Sequence, residues 1–227
     1  MLTLAFDTAT PVGSVALMED ERLLASRYFD AGLHHSQHLF VELDGILRVA
    51  GREPAEVGAV AVTIGPGSFT GLRIGLSAAK GFCLAHGAAL VPVPTLEVLA
   101  ARLPYCRAPV LALLDARRGE VYAGLYDTAD GAPRPLQGPR AGELESILSD
   151  WATEAVVCTG DGVSAGADVL SGWPDATLAP PHCHRPHAAA LAWLGLRRLQ
   201  AGEAADLAAV EPEYLRTPSY RRVGEAP

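Results

Sequence analysis

The sequence predicts an α/β protein built from two related halves, each a mixed sheet flanked by helices. Three observations carry this. Apolar residues alternate over residues 1–30 and then recur at helical spacing. A β-branched run, Val57–Ile64, passes through a glycine-rich loop into another helix. An apolar strand closed by aspartate, then a turn and a second apolar strand, occurs twice: Ala5-Phe6-Asp7 with Val15-Ala16-Leu17, and Leu113-Leu114-Asp115 with Val121-Tyr122-Ala123.

Each element follows in order. Leu2–Phe6, Gly13–Met18 and Arg22–Phe29 read as three antiparallel strands joined by tight turns. Leu39, Phe40, Leu43, Ile46, Leu47 and Ala50 form the core stripe of a helix from Ser36 to Ala50, stopped by Gly51; Val41 and Val49 fall outside it. Val57–Ile64 is a buried strand, Thr70–His86 a helix and Ala89–Val93 a strand. In the second half, Pro109–Leu114 and Glu120–Tyr126 are strands, Gly131–Pro139 is a Pro/Gly-rich loop, and Leu144–Trp151 is a helix. Ala155–Thr159 is a strand; Val163–Leu170 and His187–Gln200 are helices. The boundary falls near residues 104–109, which gives subdomains 1–106 and 107–227.

Composition narrows the function. Of 227 residues, 49% are hydrophobic and 19% charged, a globular balance. A net charge of −8 does not suit unaided grip on a phosphate backbone. The four cysteines lack CxxC spacing, so free thiols in a reducing cytosol are expected. No basic leader precedes Asp7, and no apolar run reaches the roughly 18 residues of a membrane span, so a soluble cytoplasmic protein without a membrane partner is expected.

Five features could carry chemistry. Gly65-Pro66-Gly67-Ser68-Phe69-Thr70-Gly71 joins a strand to a helix, where free N–H groups and the helix dipole can hold an anion. It is neither a dinucleotide fingerprint nor a P-loop, and Ser68 or Thr70 can equally cap the helix. The following helix is apolar nearly all round, with a polar strip of only Arg73, Ser77 and Lys80. Gly71, Gly75 and Ala79, spaced i, i+4, i+8, would let another helix approach closely, whether within the chain or from a partner. Two histidine clusters, His34-His35-His38 and His182-Cys183-His184-His187, lack complete ligand sets, so no metal is expected. Gly162-Val163-Ser164-Ala165-Gly166 matches the nucleophile elbow, with Asp175 and histidines following, but no oxyanion segment accompanies it. Asp7 and Asp115 end strands at hairpin turns, where a carboxylate holds a metal–nucleotide or caps the turn.

Taken together the segments resemble the TsaB (YeaZ) family. The matching pieces are Leu4-Ala5-Phe6-Asp7-Thr8-Ala9-Thr10, His35-Ser36-Gln37-His38-Leu39, Gly65 through Gly75 with Ala79-Lys80-Gly81, Asp115-Ala116-Arg117 with Glu120-Val121-Tyr122, and Pro212-Glu213-Tyr214-Leu215-Arg216. The resemblance implies an actin-like (ASKHA, RNase H-like) fold. It also implies a part in making N6-threonylcarbamoyladenosine at position 37 of ANN-reading tRNAs, beside the transferase TsaD and the ATPase TsaE. ATP or ADP would then belong to the complex, tRNA would be met indirectly, and the chain alone would form a homodimer.

The same resemblance implies no catalytic residue here. The catalytic relative carries metal-binding histidines at about Thr95 and Leu99, and neither residue replaces an imidazole. The nucleotide loop reads as degenerate: Asp7, Thr8 and Thr10, with Ala9 where kinases of the fold place glycine, facing Gly65, Gly67 and Ser68. That argues against a sugar-kinase-like ATPase. The expected partner surface is Val41 and Val49 on the first helix and Gly71, Leu72, Arg73, Gly75, Leu76, Ala79 and Lys80 on the second. A serine hydrolase using Ser164 is the alternative reading.

Overall fold

The computed structural model describes residues 1–30, 35–151 and 155–216, without the side chains of 35 and 36. The first sheet contains β1 (Leu2–Asp7), β2 (Val12–Glu19), β3 (Arg22–Asp30), β4 (Val57–Gly65) and β5 (Ala89–Pro94), in the order β3-β2-β1-β4-β5. β1, β2 and β3 pair antiparallel; β1, β4 and β5 pair parallel. β1 is central and every one of its residues is buried, because helices cover both faces.

Side chains of alternating size decide what covers each face. Leu4, Phe6, Val15, Leu17, Val60 and Val62 point toward α1 (His35–Ala50) and α2 (Phe69–His86). Ala5, Ala16 and Ala61 are register partners on the other face, where α7 (Ala188–Gln200) lies. Small residues let α7 come close: a Cβ on Gly195 would stand 2.5 Å from that of Ala61.

The second sheet repeats the plan. β6 (Val110–Arg117), β7 (Glu120–Asp127), β8 (Arg134–Gly142), β9 (Val156–Thr159) and β10 (Ala176–Leu178) run in the order β8-β7-β6-β9-β10. Again the first three pair antiparallel and the central strand pairs parallel with the next. α4 (Leu144–Trp151), α5 (Gly162–Ala165) and α6 (Ala167–Ser171) share one core with this sheet. On its other face, Leu96, Leu99 and Ala100 of α3 (Thr95–Ala100) pack against Val110, Ala112 and Leu114, so α3 lies between the sheets.

Several expectations are corrected. The segment read as the loop Gly131–Pro139 contains β8; its Pro135 and Pro139 are tolerated because the strand is an edge, paired only with β7. The helix expected over Val163–Leu170 divides at Gly166, where Leu144 leaves no room for a Cβ. Phe40, expected in the core stripe, is 58% exposed at the margin of the buried arc of α1. α3 and β10 were not anticipated. The chain also returns to the first sheet after crossing to the second: α7 covers β1, β2 and β4, and Leu207 and Val210 pack on the first core. The first lobe is therefore assembled from both ends of the sequence.

Candidate functional site

The two strand–Asp–turn units face each other across a cleft of about 330 Å³, lined by Ala9, Thr10, Ser68, Asp115, Arg117, Tyr122 and Asp161 among others. At both turns the aspartate caps the chain two residues on. Asp7 Oδ1 accepts from the Ala9 N–H at 3.1 Å, and Asp115 Oδ1 from the Arg117 N–H at 2.7 Å. The Thr63 hydroxyl, at the end of β4, also donates to Asp7 Oδ1 at 2.6 Å. Asp161, which follows β9, accepts from the Asp115 N–H at 3.0 Å and pairs with Arg185 at 2.5 Å.

The glycine-rich junction is used for packing inside the lobe. Ser68 caps α2, accepting from the Gly71 N–H at 3.2 Å, and its own N–H donates to the Ala9 carbonyl at 2.7 Å. Thr8 donates its hydroxyl to the Gly71 carbonyl at 2.7 Å. Cβ atoms on Gly67, Gly71 and Gly75 would fall on Ala9, the Thr8 carbonyl and the Thr8 hydroxyl. Gly65, at φ +133°, has the Glu213 carbonyl against it. Thr10 bonds the Val12 carbonyl at 2.9 Å. The residues that would cradle a nucleotide phosphate are thus committed to one another, and the loop does not fit that group.

Asp7 is the electrostatic anomaly. It is fully buried, and Oδ2 has no hydrogen-bond partner. Burial pushes its carboxyl from an ordinary 3.8 up to about 6; the Thr63 and Ala9 bonds oppose this, and Asp161 adds to it. Thr95 and Leu99 are both buried, the latter in the α3 core, so the positions of the catalytic relative's histidines are packing positions here.

The expected partner surface divides. Gly71, Leu72, Gly75, Leu76 and Ala79 are buried inside the chain, which corrects the reading of these residues as a helix-docking stripe. Gly71 and Gly75 make room for Thr8, not for a partner helix. Arg73 is exposed and Lys80 partly so. Val41 and Val49 are 64% and 71% exposed. With them stand two residues that sequence reasoning did not assign to the surface, Phe40 and Leu84, the latter 80% exposed. α1 and α2 lie side by side on one sheet face. A full helical-wheel account of what the sheet leaves uncovered would have found Leu84; Asp161 had no signal beyond its place after a strand.

The remaining features resolve as follows. Ser164 sits within α5 rather than on a strained elbow, and no side-chain hydrogen bond joins it to a histidine or carboxylate among the described residues. His184 Nδ1 accepts from the Gly160 N–H, and His187 caps α7 and stacks on Tyr28 at 5.7 Å. The nucleophile-elbow reading therefore lacks its triad. His34 and the side chain of His35 lie outside the described residues; His38 is in ring contact with Phe29. Among the described residues no helix is long and apolar enough to cross a membrane.

Comparison with known proteins agrees with this architecture. The family model "TsaD: tRNA N6-adenosine threonylcarbamoyltransferase" matches residues 30–221. The tRNA threonylcarbamoyladenosine biosynthesis protein TsaB of Bacillus subtilis is 28% identical over 95% of this chain and 94% of its own. The solved structure of YeaZ from Pseudomonas aeruginosa superimposes with a TM-score of 0.83 at 31% identity, over 94% of this chain and 99% of that one. A more distant likeness shows the fold alone: the activator of 2-hydroxyisocaproyl-CoA dehydratase from Clostridium difficile, at a TM-score of 0.54 and 10% identity. A duplicated five-stranded plan with a cleft between the copies is the actin-like arrangement, and on these matches the chain belongs to the family the TsaD model describes, within its TsaB (YeaZ) branch.

Proposed function

We propose that this chain is a non-catalytic scaffold in the formation of N6-threonylcarbamoyladenosine at position 37 of ANN-reading tRNAs. It docks a TsaD-like transferase through the outer face of α1 and α2 and works with a TsaE-like ATPase in the cytoplasm. Family membership supports the pathway. The observation that carries the docking role is the exposure of Phe40, Val41, Val49 and Leu84 on two adjacent helices, since a monomer seldom leaves such side chains grouped in water. In the absence of the transferase the same face closes a homodimer. The internal hydrogen bonding of the Asp7–Thr10 loop supports the absence of a cofactor of its own; ATP or ADP is held in the complex, and tRNA is met through the transferase.

Val49→Glu and Leu84→Glu test the docking face. Both side chains are exposed, so the fold should hold while sedimentation shows loss of the homodimer, co-elution with the TsaD-like protein fails, and reconstituted tRNA modification falls. Folded variants that still associate with themselves and with the transferase would place the interface elsewhere. A serine-reactive probe should leave Ser164 unlabelled; stoichiometric labelling would restore the hydrolase reading.

A further inference from the structure

The motif Pro212-Glu213-Tyr214-Leu215-Arg216 has no part in the docking face proposed above, yet it touches both lobes. On the first lobe, the Glu213 N–H donates to the Ile64 carbonyl at 2.7 Å, at the end of β4. Tyr214 lays its ring on Phe69 at 5.1 Å between centroids, and its hydroxyl accepts from Arg73 Nε at 3.0 Å. Arg73 also sits 3.9 Å over the Phe69 ring. Two residues later, Arg216 reaches the second lobe: it donates to the Ala116 carbonyl and pairs with Glu120, both on the β6–β7 hairpin. Gly65 is needed for this path, because any Cβ there would strike the Glu213 carbonyl.

Position along β6 gives the contact its leverage. The linker between the lobes is pinned at the other end of the second sheet, where Thr128 bonds both the Leu103 carbonyl and the Tyr105 N–H. From Val110 to Arg117 a strand extends roughly 23 Å at its usual rise. Arg216 therefore holds the hairpin far from the linker, next to the cleft. The motif also walls a second space of about 230 Å³ with Phe69, Arg118 and Tyr122.

We propose that Pro212–Arg216 is a latch across the mouth of the interlobe cleft, fastened by Tyr214 to the start of α2 and by Arg216 to the β6–β7 hairpin, and that releasing either end lets the lobes swing apart about the linker. The proposal concerns this chain alone and does not rest on the docking reading. Its two fastenings act in series, which a merely local packing role would not require.

Paired spin labels measure the opening. Ser26→Cys on β3 and Gly138→Cys on β8 are exposed positions on different lobes, and Cys106→Ser removes the one native thiol that is not buried. Spin dilution removes distances between copies. The latched chain should give one narrow distance distribution. Tyr214→Ala and Arg216→Ala should each lengthen and broaden it, and the double variant should match either single one. Glu120→Gln reads the hairpin end from its other partner and should behave as Arg216→Ala does, which keeps the test valid should Tyr214→Ala fold poorly. Unchanged distributions in Arg216→Ala and Glu120→Gln, or a double variant that adds the two single effects, would overturn the latch.

Discussion

Asp7→Asn should make this protein's stability less dependent on pH, and the structure sets the size of the effect. In the unfolded chain the Asp7 carboxyl titrates near 3.8; in the fold it titrates at about 6. The sign follows from linkage. Below both values each state is protonated, and Asp7 costs nothing. As pH rises from about 4 to 6 the unfolded state ionises first, so stability is lost through this window and stays lost above it. The loss amounts to about 3 kcal/mol. An asparagine keeps an oxygen for the Thr63 and Ala9 donors and cannot ionise. Its amide nitrogen takes the place of the unpartnered Oδ2 and carries a burial cost of about 1–3 kcal/mol, the same at every pH. Urea unfolding of both proteins at pH 4.5 and pH 7.5 separates the two contributions. The asparagine variant should gain on wild type by about 2–3 kcal/mol between those conditions, whatever its absolute stability. A stability difference that is equal at both pH values would refute the burial argument and leave Asp7 with a partner for its charge.

Two further expectations rest on packing and on a shared charge. Gly75→Ala drives a methyl into the Thr8 hydroxyl and breaks its bond to the Gly71 carbonyl, so chemical denaturation should show a loss of about 2–4 kcal/mol; Gly81→Ala, in open space on the same helix, should gain about 0.5–1 kcal/mol. Arg198 pairs with Glu97 at 2.6 Å, and burial already holds the Glu97 carboxyl above the usual carboxylate range despite that partner. Arg198→Ala should therefore cost about 3 kcal/mol at neutral pH and less in acid, where Glu97 is protonated in both states; a pH-independent cost would contradict this.

Much of the first lobe is legible in the sequence because its elements are strongly periodic and bounded. Val57–Ile64, Thr70–His86 and the three opening strands lie within two residues of their observed ends. The second lobe is harder for physical reasons. β8 carries two prolines and two glycines, so its composition reads as a loop; only its position as an edge strand makes them acceptable. β10 has three residues, too few for a period to show. α3 is six residues long and is helical because it is wedged between sheets, a tertiary cause that no local pattern reports. Yet the duplication was visible in the paired Asp turns, and imposing the first lobe's strand order on the second would have demanded both missing strands.

The glycines of the candidate site teach a different lesson. Their i, i+4 spacing correctly announced that something comes close to α2, but spacing alone does not name the visitor. Gly71 and Gly75 admit Thr8, from a turn more than sixty residues earlier in the chain. This inverts what the loop is for: glycines that could open a backbone to phosphate instead bring the Asp7 turn, the Ser68 cap and α2 into one rigid unit. A cleft so committed has lost the free N–H groups that nucleotide binding needs, while the outer faces of α1 and α2 keep their surplus apolar side chains. Loss of the inner site and retention of the outer one is the pattern expected when a duplicated enzyme fold is kept for the surface it presents.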